Sequence, residues 1–139
     1  MITSFAYATI YVTDPDRAKD FYTEKLGFTL LEDQEWDGNR WLTVAPPGEG
    51  KTTISLVSVA QSPVMTDEDV DALKKLVSRG VLGAGVFITD DCHADYQALR
   101  DKGVEFTQEP AKQPWGIQAM LKDDSGNWLT LVEPVSTEE

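Results

Sequence analysis

A chain of 139 residues can bury one hydrophobic core but is too short for two independent domains. Its 24 acidic and 12 basic residues give a formal charge of -12, which repels phosphate backbones and anionic lipid and argues against a nucleic-acid or membrane partner. Four Trp, four Tyr and five Phe, in a composition that is 41% hydrophobic, exclude a disordered chain.

From the start, Phe5 to Thr13 alternates: Phe5, Tyr7, Thr9 and Tyr11 fall on one side, and Ala6, Ala8, Ile10 and Val12 on the other, as in a strand. Asp14-Pro15 then reads as a helix cap and first turn, with Ala18, Phe21, Tyr22 and Lys25-Leu26 at helical spacing up to Gly27. Three further strands follow over Phe28–Glu35, Asn39–Ala45 and Thr53–Val59, divided by turns at Asp37-Gly38 and Pro46–Gly50. Thr66-Asp67-Glu68-Asp69 predicts a capping box, and Val70, Leu73, Leu76 and Val77 continue it as a linker helix before Gly80. The first plan then repeats: a strand over Gly85–Thr89, a helix over Cys92–Lys102 capped by Asp90 or Asp91, and a strand around Val104–Thr107. A strand from Pro114-Trp115-Gly116 to Lys122, a turn at Asp123–Asn127 and a last strand over Trp128–Glu133 complete it. Thr13-Asp14 precedes Gly27 at the interval by which Thr89-Asp90 precedes Gly103, so the chain reads as βαβββ written twice. The expected division is one domain, 1–139, with a first module over about 1–60, a linker helix over about 66–80 and a second module over about 83–135. The tail Ser136–Glu139 is expected to be loose.

No apolar run approaches the length of a membrane span, and Met1–Phe5 lacks the basic and apolar stretches of a signal peptide, so a cytoplasmic location is expected. Cys92 is the sole cysteine and cannot form an internal disulfide.

Val12-Thr13-Asp14-Pro15, Phe21-Tyr22, Leu26-Gly27-Phe28, Gly103-Val104-Glu105-Phe106, Asp123-Asp124-Ser125-Gly126-Asn127 and Leu131-Val132-Glu133-Pro134 together resemble the vicinal oxygen chelate superfamily, the glyoxalase, bleomycin-resistance and dioxygenase group. The resemblance implies an α+β fold of two βαβββ modules whose strands make a cupped mixed sheet around a cleft, commonly in a dimer. It does not fix the chemistry, because the superfamily spans lyases, isomerases, dioxygenases, thiol transferases and non-catalytic drug binders.

Metal-dependent members place one ligand on the first and fourth strand of each module. The positions that match here are Tyr7, Ser55, Ala84 and Thr130. A neutral phenol, two alcohols and a methyl group are poor company for a divalent ion, so no metal and no other cofactor is expected. The lone histidine, His93, falls at a helix start, and Glu133 has the wrong strand parity for the cleft. The cleft lining is expected to come from Tyr7, Thr9, Tyr11, Trp41, Ser55, Trp115, Gln118, Met120, Trp128 and Thr130, a mixture of aromatic faces and hydrogen-bonding groups.

The reading that follows is a metal-independent small-molecule-binding protein that sequesters an aromatic or cationic compound and is expected to be a homodimer. The alternative is a lyase, isomerase or dioxygenase with a non-standard site, using Tyr7, Tyr11 or Glu133 for proton transfer; no catalytic residue is assigned. A third possibility is a dimer whose cleft is filled by its own side chains.

Overall fold

The computed structural model describes residues 1–48 and 52–135. The tail, and the second half of the Pro46–Gly50 turn, lie outside them.

The first module runs β1 (Tyr7–Val12), α1 (Pro15–Asp20), β2 (Thr29–Trp36), β3 (Asn39–Ala45) and β4 (Thr53–Ser58). Asp14 starts α1 as expected, its carboxylate accepting the backbone N–H groups of Asp16 and Arg17. The helix does not stay α-helical to Gly27: Phe21–Lys25 form a π-helical turn. That wider turn buries the adjacent Phe21 and Tyr22 together. The linker helix α2 (Asp67–Ser78) begins with the expected capping box, in which Thr66 and Asp69 exchange side-chain and backbone hydrogen bonds.

The second module repeats the plan with β5 (Gly83–Ile88), α3 (Cys92–Asp101), β6 (Phe106–Gln113), β7 (Gly116–Lys122) and β8 (Trp128–Pro134). Asp91 is the cap of α3, accepting the Ala94 N–H at 3.0 Å. Strand β6 extends well past the expected Thr107 and runs through Pro110. A missing N–H is tolerated there because β6 is an edge strand whose pairing with β7 is already interrupted by register shifts.

Each module makes its own four-stranded mixed sheet, ordered β1-β4-β3-β2 and β5-β8-β7-β6. In each, the first and fourth strands pair in parallel and the other neighbours are antiparallel. On the side facing its helices, each sheet carries apolar residues: Ile10, Val12, Leu42, Val44, Ile54 and Leu56 in the first, and Ala119, Leu121, Leu129 and Leu131 in the second. All of these belong to a single core cluster. Phe28 and Phe87 meet edge to face across the module boundary, 5.2 Å between centroids. The helix-facing sides therefore share one interior, and the other face of each sheet lies on the side away from it.

The modules are also joined by hydrogen bonds at a seam where the turn 123–127 lies against the β1–α1 junction. Asn127 Nδ2 donates to the Tyr11 carbonyl at 2.8 Å, the Thr13 N–H donates to Ser125 Oγ at 2.9 Å, and Arg17 Nη2 donates to the Asp124 carbonyl at 3.0 Å. Buried Tyr22 donates its hydroxyl to Asp123 Oδ2 at 2.8 Å. Asp123 also accepts the backbone N–H groups of Ser125, Gly126 and Asn127 and the Asn127 side-chain amide. Burial first, then the Asp123 carboxylate, hold the Tyr22 phenol well above its ordinary pKa. Gly126, at φ 113°, lets the turn pass under the last turn of α2, where any side chain would meet the Val77 carbonyl.

Candidate functional site

Alternation along β1 places Tyr7, Thr9 and Tyr11 on the face opposite the buried Ile10 and Val12. The register carries that face across the sheet: Thr9 stands beside Ser55 on β4, Ser55 beside Thr43 on β3, and Thr43 beside Glu32 on β2. Trp41 shares the face, two residues from Thr43. Tyr7, on β1, and Trp41, on β3, meet edge to face at 5.3 Å between ring centroids. Because β4 lies between those strands, the rings close over it. Tyr7 itself remains 49% exposed.

Beneath that pair, Ser55 is 3% and Thr43 0% exposed. Among the described residues, Thr43 Oγ1 has no hydrogen-bond partner. Burying a hydroxyl in this way costs about 1–3 kcal/mol. The sequence reading missed Thr43. Its signal was there in Leu42-Thr43-Val44, where a hydroxyl interrupts an apolar run, but such a run also reads as ordinary core.

On the second sheet, Thr130 pairs with Met120 and Val132 with Gln118, on the face opposite Ala119, Leu121, Leu129 and Leu131. Trp115 Nε1 donates to Gln118 Oε1 at 2.9 Å, and Gln118 Nε2 donates to Gln108 Oε1 at 3.1 Å, so a short polar chain crosses from the turn before β7 to β6. The Trp115 ring is left 52% exposed. Trp128 lies against Gly83, its register partner, so closely that a Cβ on that glycine would overlap the indole. A register shift between Gly83 and Val86 turns Ala84 toward the core and sets Val86 opposite Thr130. Val86, which stands opposite Thr130, lacks a donor atom, as Ala84 does.

The ten residues read from sequence thus fall into two groups, five on the open face of the first sheet and, at the second, four on its strands with Trp115 in the turn before β7, tied to Gln118. Among the described residues, no aromatic pair or hydrogen bond links the two groups. The donor set on these faces, two phenols, hydroxyls, amides and the single carboxylate of Glu32, does not fit a divalent cation, for which one carboxylate without imidazole or thiolate partners is too few. Among the described residues, no cluster of three or more His, Cys, Asp or Glu side chains is placed to hold one. Glu133 accepts the Cys92 N–H at 2.9 Å and so caps α3, which removes it from proton transfer on the open face. Burial, and after it the Glu133 carboxylate, raise the Cys92 thiol pKa, which disfavours a thiolate.

A cavity of about 800 Å³ lies elsewhere, between the modules, with Phe28, Ile54, Phe87, Leu99, Leu121 and Leu131 among its walls. It contains none of the ten residues. Core residues make much of its wall, Val86, Ile88 and the charged Lys25, Asp90, Asp95 and Lys102 border it, and its rim runs through Gly48 and Thr52, on either side of residues outside those described. The open faces, with their aromatic and hydrogen-bonding groups, have the better claim to be the site.

Two βαβββ modules, each a four-stranded sheet with parallel first and fourth strands, define the class, and the comparison with known families agrees. The chain belongs to the Glyoxalase/Bleomycin resistance protein/Dioxygenase superfamily, whose model matches residues 4–131. Among individual proteins, the chain is similar to UcmS2, whose crystal structure it matches with a TM-score of 0.89 at 41% identity, covering 96% of this chain and 99% of that one. It is also similar to TnmS3, an antibiotic binding protein from Streptomyces sp. CB03234, with a TM-score of 0.76 at 37% identity over 96% of this chain and 97% of that one. YurT of Bacillus subtilis (strain 168), an uncharacterized protein, is 36% identical over 125 residues, 90% of this chain and 94% of its own. No helix among the described residues is long and apolar enough to cross a membrane.

Proposed function

We propose that this protein is a metal-independent binder that sequesters a flat aromatic or cationic small molecule between the open faces of its two sheets, completed by a second copy of the chain. The observation that carries the reading is the make-up of those faces: aromatic rings stand at their surface over a floor of hydroxyl and amide groups, and no set of metal donors accompanies them. Aromatic faces supply stacking, the hydroxyls and amides orient the ligand, and the charge of -12 favours cations through steering and cation–aromatic attraction. Antibiotic binding by TnmS3, which shares 37% of its residues with this chain, supports the same class of ligand.

The placement of the faces supports a second copy. Each lies away from the interior that the modules share, so one chain alone leaves both open. Phe5 is 79% exposed, and Val86 and Ile88 on the edge strand β5 are also exposed. Apolar groups so placed are suited to an interface between chains.

Titration with basic and aromatic compounds, followed by tryptophan fluorescence, tests the reading. Saturable quenching by at least one compound is expected, together with sedimentation as a dimer. No response across such a panel, or a stoichiometric transition metal in protein purified without chelator, would remove it.

A further inference from the structure

We propose, resting on that reading, that Tyr7 and Trp41 form a gate over a hydroxyl-floored subsite, in which Thr43 Oγ1 accepts a hydrogen bond from an N–H on the edge of a flat aromatic cation.

The Thr43 hydroxyl is fully buried and has no hydrogen-bond partner among the described residues. Native structures leave few such groups, and a hydroxyl facing the core could have been a valine at almost no change in shape. This one does not face the core: Leu42 and Val44, on either side of it, do so, and Thr43 points to the open face beside Ser55. On that face, the bodies that reach across its neighbours are the rings of Tyr7 and Trp41. Neither ring is anchored through a hydrogen bond of its own among the described residues, and Tyr7 is half exposed. Edge-to-face contact between two such rings is worth about 1 kcal/mol beyond burial, so a ligand that stacks on them can separate them.

Separation uncovers Ser55 and Thr43, with Glu32 across from Thr43 on β2. A carboxylate beside a hydroxyl that lacks a partner selects a positively charged edge bearing N–H groups over an anionic or purely apolar one.

Two dyes of equal ring size and charge test the contact: proflavine, a flat aromatic cation with ring amino groups, and N-methylacridinium, which has none. Proflavine is expected to bind the wild type about fivefold more tightly than N-methylacridinium, and Thr43→Val should abolish that preference while raising Tm. An unchanged preference in Thr43→Val overturns the contact and leaves the binding function intact. If neither dye binds, the binding function falls and the contact with it. The gate is judged separately, with Thr43→Cys in a Cys92→Ala background: Tyr7→Ala should speed labelling of the new thiol by a soluble thiol reagent about tenfold. Equal labelling rates with and without the Tyr7 ring overturn the gate.

Discussion

The seam between the modules and the open face of the first sheet are built from the same kinds of group, hydroxyls, carboxylates and aromatic rings, and treat them in opposite ways. At the seam, one carboxylate, Asp123, collects five hydrogen bonds, one of them from the buried Tyr22. On the open face, Thr43 is equally buried and makes none among the described residues, beside the edge-to-face rings of Tyr7 and Trp41. Full satisfaction locks geometry, whereas an unsatisfied group stores free energy that a partner can release. The difference separates the part of the molecule that holds the modules together from the part available for recognition.

The strongest way to break the comparison is Asp123→Ala. It strands the Ser125 and Asn127 N–H groups and the buried Tyr22 hydroxyl and weakens the bonding of Gly126 and the Asn127 amide, and should lower the unfolding free energy by about 3 kcal/mol in urea titrations. A loss below about 1 kcal/mol would mean that the seam does not hold the modules.

A smaller effect is expected where α1 is tied to the first sheet. Asp33 accepts both Arg40 Nε at 2.9 Å and Lys19 Nζ at 2.8 Å, and Arg40 also pairs with Asp16. Hydrogen bonds from Arg40, and then from Lys19, lower the Asp33 pKa to about 2. A depressed carboxylate adds stability that is complete above its ordinary range, near 3.8, and is lost as pH falls through about 2. Asp33→Asn should therefore cost about 1 kcal/mol at neutral pH, and the gap to wild type should close in thermal melts between about pH 4 and pH 2.

The smallest effect sharpens the comparison within the seam itself. Asp124, beside the well-served Asp123, has one buried oxygen without a partner among the described residues. Burial, and then the Asp123 charge, raise its pKa to about 6 against the opposing pull of Arg17 and Ser125. Asp20, Glu24 and Lys122 border the same groove. For an acid whose pKa rises on folding, the sign reverses: the penalty is present above about 6 and gone below about 3.8. Asp124→Asn should stabilise the protein by less than about 1 kcal/mol at about pH 7.5, allowing for screening at this partly exposed group, and have no effect near pH 4.

Much of this architecture was legible in the residues. Period-two alternation in β1, the Asp14-Pro15 start and the Thr66–Asp69 capping box are local chemistry, and local chemistry is written in order along the chain. The repeat was legible for the same reason, since Thr13-Asp14 to Gly27 and Thr89-Asp90 to Gly103 keep one interval. What escaped depended on contacts between distant residues. The register shift that moves Ala84 out of the open face is set by β8, more than 40 positions later. Glu133 was read by parity as lying off the face, but its task at the start of α3 required the fold. Of the site, alternation gives the facing of Tyr7, Thr9, Tyr11, Ser55, Trp128 and Thr130, whereas that of Trp41, Trp115, Gln118 and Met120 needs the register, and Thr43 is hidden because buried runs conceal which side each member looks to.

The Tyr22 hydroxyl bond also gives the seam an optical signature. Phenols absorb differently once they lose their proton, and this one is withheld from alkali for as long as Asp123 and the interior enclose it. In an alkaline titration followed by ultraviolet absorbance, one of the four tyrosines should therefore change colour only when circular dichroism collapses, reporting the parting of the two halves of the chain.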